Sequence, residues 1–291
     1  MNRPLVLACA SIFAVATVAV TAAAQPAQAI RFSLAPEKDA PDKIHATFRS
    51  DRDGRHDNNW STGFRPSELV GLDLAGFRGA GSRPLRFSVI RESGRLDCAG
   101  NGGQSHAAGD CRFVRDPAFA ELLRSRGIGN PTNEQALGLM AVNARRDVID
   151  AVAAASYPTP SINDLMALFA LGVDGTYIRN MAASGYRPES IEALIQFKAL
   201  NITPAWIAGF SSIGYARLPA DQLVQLKALN ITPEFVASFD RLGYGRLPVD
   251  ELIQLKALDI TPEFVQRVAA ADSSLPPVNK LVELKAFGRK R

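Results

Sequence analysis

A 29-residue period runs through this chain from Asp116 onward, and no other feature constrains the fold as tightly. Thr-Pro recurs at Thr203-Pro204, Thr232-Pro233 and Thr261-Pro262. Tyrosines recur at Tyr157, Tyr186, Tyr215 and Tyr244, and lysines at Lys198, Lys227, Lys256 and Lys285. Three markers sharing one spacing define an internal repeat. The register extends back beyond the obvious similarity. Asp116-Pro117-Ala118-Phe119 sits three periods before Thr203-Pro204-Ala205-Trp206, and Gly127 three periods before Gly214. Six units therefore fit between Asp116 and about Gly288. The second and third carry Arg145-Arg146 and Asp174-Gly175 where the later ones have Thr-Pro.

Each unit reads as two short helices. Thr232 is a good N-cap, Pro233 suits the first helical position, and Glu234 complements the positive end of the helix dipole. Phe235, Val236, Phe239 and Leu242 form one apolar face, and Gly243 supplies the stop. Pro248 starts the second helix, whose Leu252, Ile253, Leu255 and Leu258 form another apolar stripe. So small a hairpin buries both stripes only by stacking on its neighbours, which is the logic of a solenoid. The period fits neither the tetratricopeptide, the ankyrin nor the HEAT length.

The segment before Asp116 differs. Residues 30–35, 43–49, 85–91, 95–99 and 110–114 alternate apolar with polar, the period of a half-buried strand. Residues 67–74 suggest a short helix. The expected fold class is α+β, a small antiparallel β head over residues 30–115 followed by an α-solenoid of two-helix repeats over 116–288 and a basic tail over 289–291. Cys98 and Cys111 flank a glycine-rich stretch, and an even pair in an exported chain is more often a disulfide than a metal site.

Units of the form TPEFV…LGY…LPxDELIxLKALDI, as at Thr232–Val236, Leu242–Tyr244 and Leu247–Ile260, resemble repeats in poorly characterised exported bacterial proteins. Similar repeats also lie C-terminal to some membrane metallopeptidases of the β-lactam-sensor type. The head segment from Arg91 through Cys98 to Cys111 and Phe113 resembles the β-hairpin that precedes the repeats there. The resemblance covers roughly residues 30 to 288 and implies architecture rather than activity. The zinc motif of the sensor group, HExxH, is absent, and no functional residue carries over.

Residues 1–29 have the pattern of a secretory signal peptide. Arg3 precedes an uncharged Ala/Val-rich run from Leu5 to Ala24, and Ala27-Gln28-Ala29 offers a small-x-small cleavage site. The alternative is an uncleaved anchor, since about 20 apolar residues just span a bilayer. Cys9 reads as part of the apolar run, because too few residues precede it for a lipoprotein signal.

No GxSxG, HExxH, Walker or dinucleotide-binding glycine pattern occurs, so no enzyme and no cofactor is expected. Residues 51–59 resemble a calcium loop but fail its spacing, with Arg55 and His56 at ligand and glycine places, and a polar loop is expected instead. Residues 100–109 have the glycines of a phosphate loop without its lysine, and a hairpin tip is expected. Charge argues against nucleic acid. Residues from Asp116 onward hold 18 basic and 18 acidic side chains, and the excess, 15 against 11, lies in residues 1–115. Backbone-tracking proteins need clustered positive charge.

Two ladders remain as candidate sites. One period apart, the four lysines align as a cationic strip for an acidic protein partner, although each also complements the negative end of its own helix. The four tyrosines, most of them after a glycine, are expected to stack between units with hydroxyls at the surface. Trp206, at the place of Phe119, Phe235 and Phe264, is expected in the core. The functional expectation is an exported, periplasmic or secreted protein-interaction module. The alternative is a sensor or regulatory accessory tethered to the inner membrane, which would meet the membrane only through an uncleaved segment. A hydrolase using His45, His56 or His106 is a third expectation of lower rank.

Overall fold

The computed structural model describes residues 30–50 and 58–288. Residues 1–29, where a signal peptide is expected and which include Cys9, His56 with most of its loop, and the basic tail lie outside them. Six strands form the head: β1 (Ile30–Pro36), β2 (Ile44–Ser50), β3 (Asn58–Phe64), β4 (Arg83–Arg91), β5 (Gly94–Gly103) and β6 (His106–Arg115). They make one antiparallel sheet in the order β3-β2-β1-β6-β5-β4. Alternation places Phe32, Leu34, Phe48, Phe87, Val89 and Leu96 on one buried face. A 3-10 turn (Pro66–Glu68) and α1 (Leu74–Arg78) cover that face with Leu69 and Phe77.

Three expectations change here. The helix expected over 67–74 gives way to the 3-10 turn and to α1, because Asp73 caps the later start by accepting from Gly76 N at 3.1 Å. The hairpin expected to open at Gly100 stays paired to Gly103 and His106, and its turn is Gln104-Ser105 alone. Both turn residues have positive φ, 53° and 63°, the geometry of a type I′ turn. The glycines bring the strands close rather than loosening them: a Cβ on Gly100 would lie 2.1 Å from the Ala108 carbonyl oxygen. Strand β3 was not expected at all, since its Asn, Ser and Gly mask the alternation of Trp60 and Phe64.

Twelve helices follow among the described residues, and each unit supplies an A helix and a B helix. The A helices are α2 (Pro117–Ser125), α4 (Arg146–Ala154), α6 (Gly175–Ala183), α8 (Pro204–Ser212), α10 (Pro233–Phe239) and α12 (Pro262–Asp272). The B helices are α3 (Asn133–Ala141), α5 (Ile162–Ala170), α7 (Ile191–Ala199), α9 (Ala220–Ala228), α11 (Val249–Ala257) and α13 (Val278–Phe287). Every start falls 29 residues after the equivalent one, the degenerate units included.

The caps explain that regularity. Thr203, Thr232 and Thr261 accept from the backbone N–H of Trp206, Phe235 and Phe264, with Pro at the first helical position. Asp116 and Asp174 do the same for Phe119 and Tyr177. Arg145 has no capping oxygen, and the head supplies one: the Arg146 N–H donates to Glu92 Oε2 at 2.7 Å. Pro219, Pro248 and Pro277 sit at the cap itself, one residue before the helix that Pro248 was expected to start.

The B helices end alike. Asn143, Gly172, Asn201, Asn230 and Asp259 have φ between 51° and 65°, the left-handed region. The next residue donates to the carbonyl five residues back, as Ile202 N to Phe197 O at 2.7 Å and Ile231 N to Leu226 O at 2.8 Å. This is the Schellman closure, and Ile202, Ile231 and Ile260, which follow it, are buried. The segment Ala-Leu-Asn-Ile is thus a helix stop and a core residue in one.

Successive B helices touch along the row from α3 to α13. The first unit closes onto the sheet: Leu137 and Met140 of α3 belong to the sheet core, and the Arg91 guanidinium donates to the Met140 and Ala141 carbonyls at 2.6 and 2.7 Å.

Candidate functional site

Cys98 and Cys111 are direct partners across β5 and β6, with Cα atoms 4.0 Å apart, and are disulfide-bonded. They lie on the buried face in a row with Ile30 and Phe87, so the bridge is a structural staple of the hairpin.

Tyr157 and Tyr215 are buried and Tyr186 and Tyr244 half-buried, and three of the four hydroxyls bond to backbone carbonyls instead of standing free at the surface as expected. Tyr186 donates to Leu218 O at 2.9 Å, Tyr215 to Leu247 O at 2.6 Å and Tyr244 to Pro276 O at 2.6 Å. Each acceptor lies 32 residues on, in the next unit, immediately before Pro219, Pro248 or Pro277. Proline holds the residue before it extended, which aims that carbonyl back at the ring. Tyr157 is the exception. The equivalent pair is Glu189-Ser190, and the Tyr157 hydroxyl is buried without a partner among the described residues. Burial pushes Tyr157 up to about 12, against the Arg187 guanidinium 5.2 Å from its ring centre. Burial likewise pushes Tyr177 and Tyr186 up to about 12.

The lysine ladder has a constant geometry. The Nζ atoms of Lys198, Lys227, Lys256 and Lys285 lie 4.9, 5.0, 5.0 and 4.9 Å from the ring centres of Tyr177, Trp206, Phe235 and Phe264. Those rings occupy the third position of their A helices, so each lysine, in the last turn of the B helix, clips the two helices of its own unit. Trp206 is half-buried beneath Lys227 rather than fully in the core. All four lysines keep part of their surface. Lys285 also donates to Asp259 O at 2.8 Å. The period of both ladders is legible in the sequence; their partners are not, because these are set by how units stack.

Beside the lysines, the B helices expose a second periodic ridge. Glu192, Asp221 and Asp250 open it near the helix N-termini, and Gln196, Gln225 and Gln254 follow one turn on. A cleft of ≈ 460 Å³ lies between β3 and the first two B helices, lined by Trp60, Glu134, Gly138, Asn163 and Met166 among others. Trp60 is half-buried there and stacks on Phe48 with ring centres 5.1 Å apart.

Of the three histidines, the two that are described, His45 and His106, make separate local contacts, and His56 lies outside the described residues. His45 Nδ1 is 3.1 Å from Glu37 Oε2, and the exposed His106 contacts Gln104 O at 3.0 Å within its own turn. Among the described residues no group of three or more His, Cys, Asp or Glu side chains is placed to hold a metal ion. No described helix is long and apolar enough to cross a membrane.

No family model matches the chain, and no curated protein or solved structure matches it either. Its class is therefore given by the fold alone: a disulfide-stapled β-sheet head on an α-solenoid. Within it the lysine and tyrosine ladders are the periodic side-chain features of the array.

Proposed function

We propose that this chain is a non-catalytic, exported protein-interaction module whose repeat array engages an acidic protein partner along the lysine row. The observation that carries the reading is the constant 4.9–5.0 Å seating of four ammonium groups over four aromatic rings. A lysine held over a ring has lost much of its rotamer freedom before a partner arrives, which lowers the ordering cost of binding. The four lysines keep part of their surface, and a solenoid repeats the arrangement along an extended face. Export is supported by the Cys98–Cys111 disulfide, since such bonds persist in oxidising compartments. The repeat motif's resemblance to exported bacterial proteins agrees with it.

The test is capture from envelope extract by the wild-type protein and by the combined Lys198→Glu, Lys227→Glu, Lys256→Glu variant. The expected result is a partner retained by wild type, released by raised salt, and lost from the variant while the helical circular dichroism is unchanged. Equal capture by both proteins overturns the proposal. The Lys→Gln triple separates charge from packing: each lost clip costs about 0.5–1 kcal/mol, too little to unfold the array.

A further inference from the structure

Among the described residues the head's sheet is covered on one face, and its other face carries a cluster of arginines. Its outward positions hold Arg31, Arg49, Arg86, Arg95 and Arg112 against Asp97 and Asp110. Asp97 is already engaged, accepting from Ser88 Oγ at 2.8 Å and from Arg95 Nε at 3.0 Å. Arg31 stands between Arg49 on β2 and Asp110 on β6, directly opposite each. Arg112 stands directly opposite Asp97 across β5 and β6 and on the diagonal from Arg31, about 7–8 Å away by strand geometry. No ion pair among the described residues engages Arg49, Arg86 or Arg112.

The choice of cation is also selective. Residues 30–115 contain 12 arginines and 2 lysines. Lysine would solubilise a sheet face equally well, whereas the planar guanidinium fork matches the two oxygens of a phosphate. Aliphatic side chains supply a second, independent observation. Val70 and Ile90 are the head's large apolar residues that stay exposed, at 49% and 61%. Val70 bridges Ser88, and Ile90 pairs with Arg95, so both sit on this same face beside the arginines. Ser33, Thr47, Ser61, Ala99 and Ala108 are small outward residues between the cations, and at the β2 edge the carboxylate of Glu37 sits 3.1 Å from His45 Nδ1. Five strand spacings make a surface about 24 Å wide. It carries no Phe, Tyr or Trp among the described residues, so it lacks the stacking platforms on which sugar rings settle.

We infer that the open face of the sheet docks on a bilayer surface of anionic phospholipid. Its arginines engage the phosphate groups, and Val70 and Ile90 enter the headgroup layer. The site is separate from the lysine row, and the two stand or fall apart.

The experiment is vesicle sedimentation of the exported protein, its mature N-terminus read by sequencing so that a retained apolar leader is not mistaken for the arginine face. Binding is expected to vesicles containing phosphatidylglycerol and not to phosphatidylcholine alone, and to weaken as salt rises from about 0.1 to about 0.5 M. The combined Arg49→Gln, Arg86→Gln, Arg112→Gln variant should bind roughly a hundredfold more weakly, at about a factor of five per arginine. Ile90→Ser should weaken binding further in a manner that salt does not mask. Unchanged melting temperature and an intact disulfide show that the variants are folded. Equal binding by the triple variant, binding lost instead on changing Lys198, Lys227 and Lys256, or preference for a soluble acidic polysaccharide such as alginate would each overturn the inference.

Discussion

The Tyr215 hydroxyl donates to the Leu247 carbonyl at 2.6 Å, tying one unit to the next through a bond buried from solvent. Tyr215→Phe removes the donor and leaves a buried carbonyl unsatisfied, which costs about 1–3 kcal/mol. Tyr157→Phe removes a hydroxyl that is buried without a partner, so it should be neutral or slightly stabilising. Denaturant titration of the two variants side by side checks this. Equal losses would mean that the ladder bonds carry no net stability.

The same burial makes the array sensitive to alkali. Tyr157, Tyr177 and Tyr186 are pushed up to about 12 in the fold, from an ordinary value of 10. Above pH 10 the unfolded chain therefore releases protons that the folded chain retains. Stability from these groups is complete below pH 10 and falls as pH rises through about 12. The melting temperature should drop across that window, and phenolate absorbance should rise together with loss of helix rather than before it. Phenolate formation well ahead of unfolding would contradict the buried placement.

Much of this architecture is legible in the sequence because the period is a property of the chain itself. Thr203, Thr232 and Thr261 announce helix starts, and their side chains act as caps in the fold. Cys98 and Cys111 are legible as a pair because the alternating segments around them read as neighbouring strands. What is hidden depends on contacts far along the chain. Tyr186 reads as a surface hydroxyl until Leu218 of the following unit is seen to accept from it. The glycines from Gly100 to Gly109 look like a flexible tip, yet they are demanded by the close approach of β5 to β6. Lys227 looks like a solvated helix end, and only the packing of α9 beside α8 puts Trp206 beneath it.

The Asn201, Asn230 and Asp259 stops give a third prediction, since the left-handed region is costly for branched side chains. Asn230, at φ 51°, should accept glycine within a few tenths of a kcal/mol. Asn230→Val should cost about 1–2 kcal/mol and loosen the closure that buries Ile231. Amide exchange at Ile231, whose N–H donates to Leu226 O at 2.8 Å, reports that closure directly. Unchanged protection in the valine variant would show that the stop is not fixed by this residue.

Reduction of Cys98–Cys111 gives a fourth. The bridge joins residues 13 apart and closes a short loop, a constraint on the unfolded chain of about 3 kcal/mol. Strands β5 and β6 keep their full ladder of backbone bonds without it. Reduction should therefore lower the melting temperature of the head while leaving the helical signal of the array intact. Collapse of the helical signal on reduction would mean that the array depends on the sheet cap far more than the contacts of Arg91 and α3 suggest.

The missing rung at Tyr157 can be rebuilt, and doing so tests the account of the ladder as a whole. Units that make the bond present Leu-Pro or Pro-Pro at the acceptor, whereas this joint presents Glu189-Ser190. Glu189→Leu with Ser190→Pro should hold the carbonyl of residue 189 extended and bring it within reach of the Tyr157 hydroxyl. The exchange also removes a cap, because Ser190 Oγ accepts from Ala193 N at 3.1 Å, at a cost of about 1 kcal/mol. Net stability is therefore expected to change little, and the informative quantity is the coupling. In a double-mutant cycle with Tyr157→Phe, the rebuilt joint should show about 1 kcal/mol of interaction that the native joint lacks. A coupling near zero would mean that proline before the B helix does not aim the carbonyl, and that the bonds at Leu218, Leu247 and Pro276 arise from the stacking of the units instead.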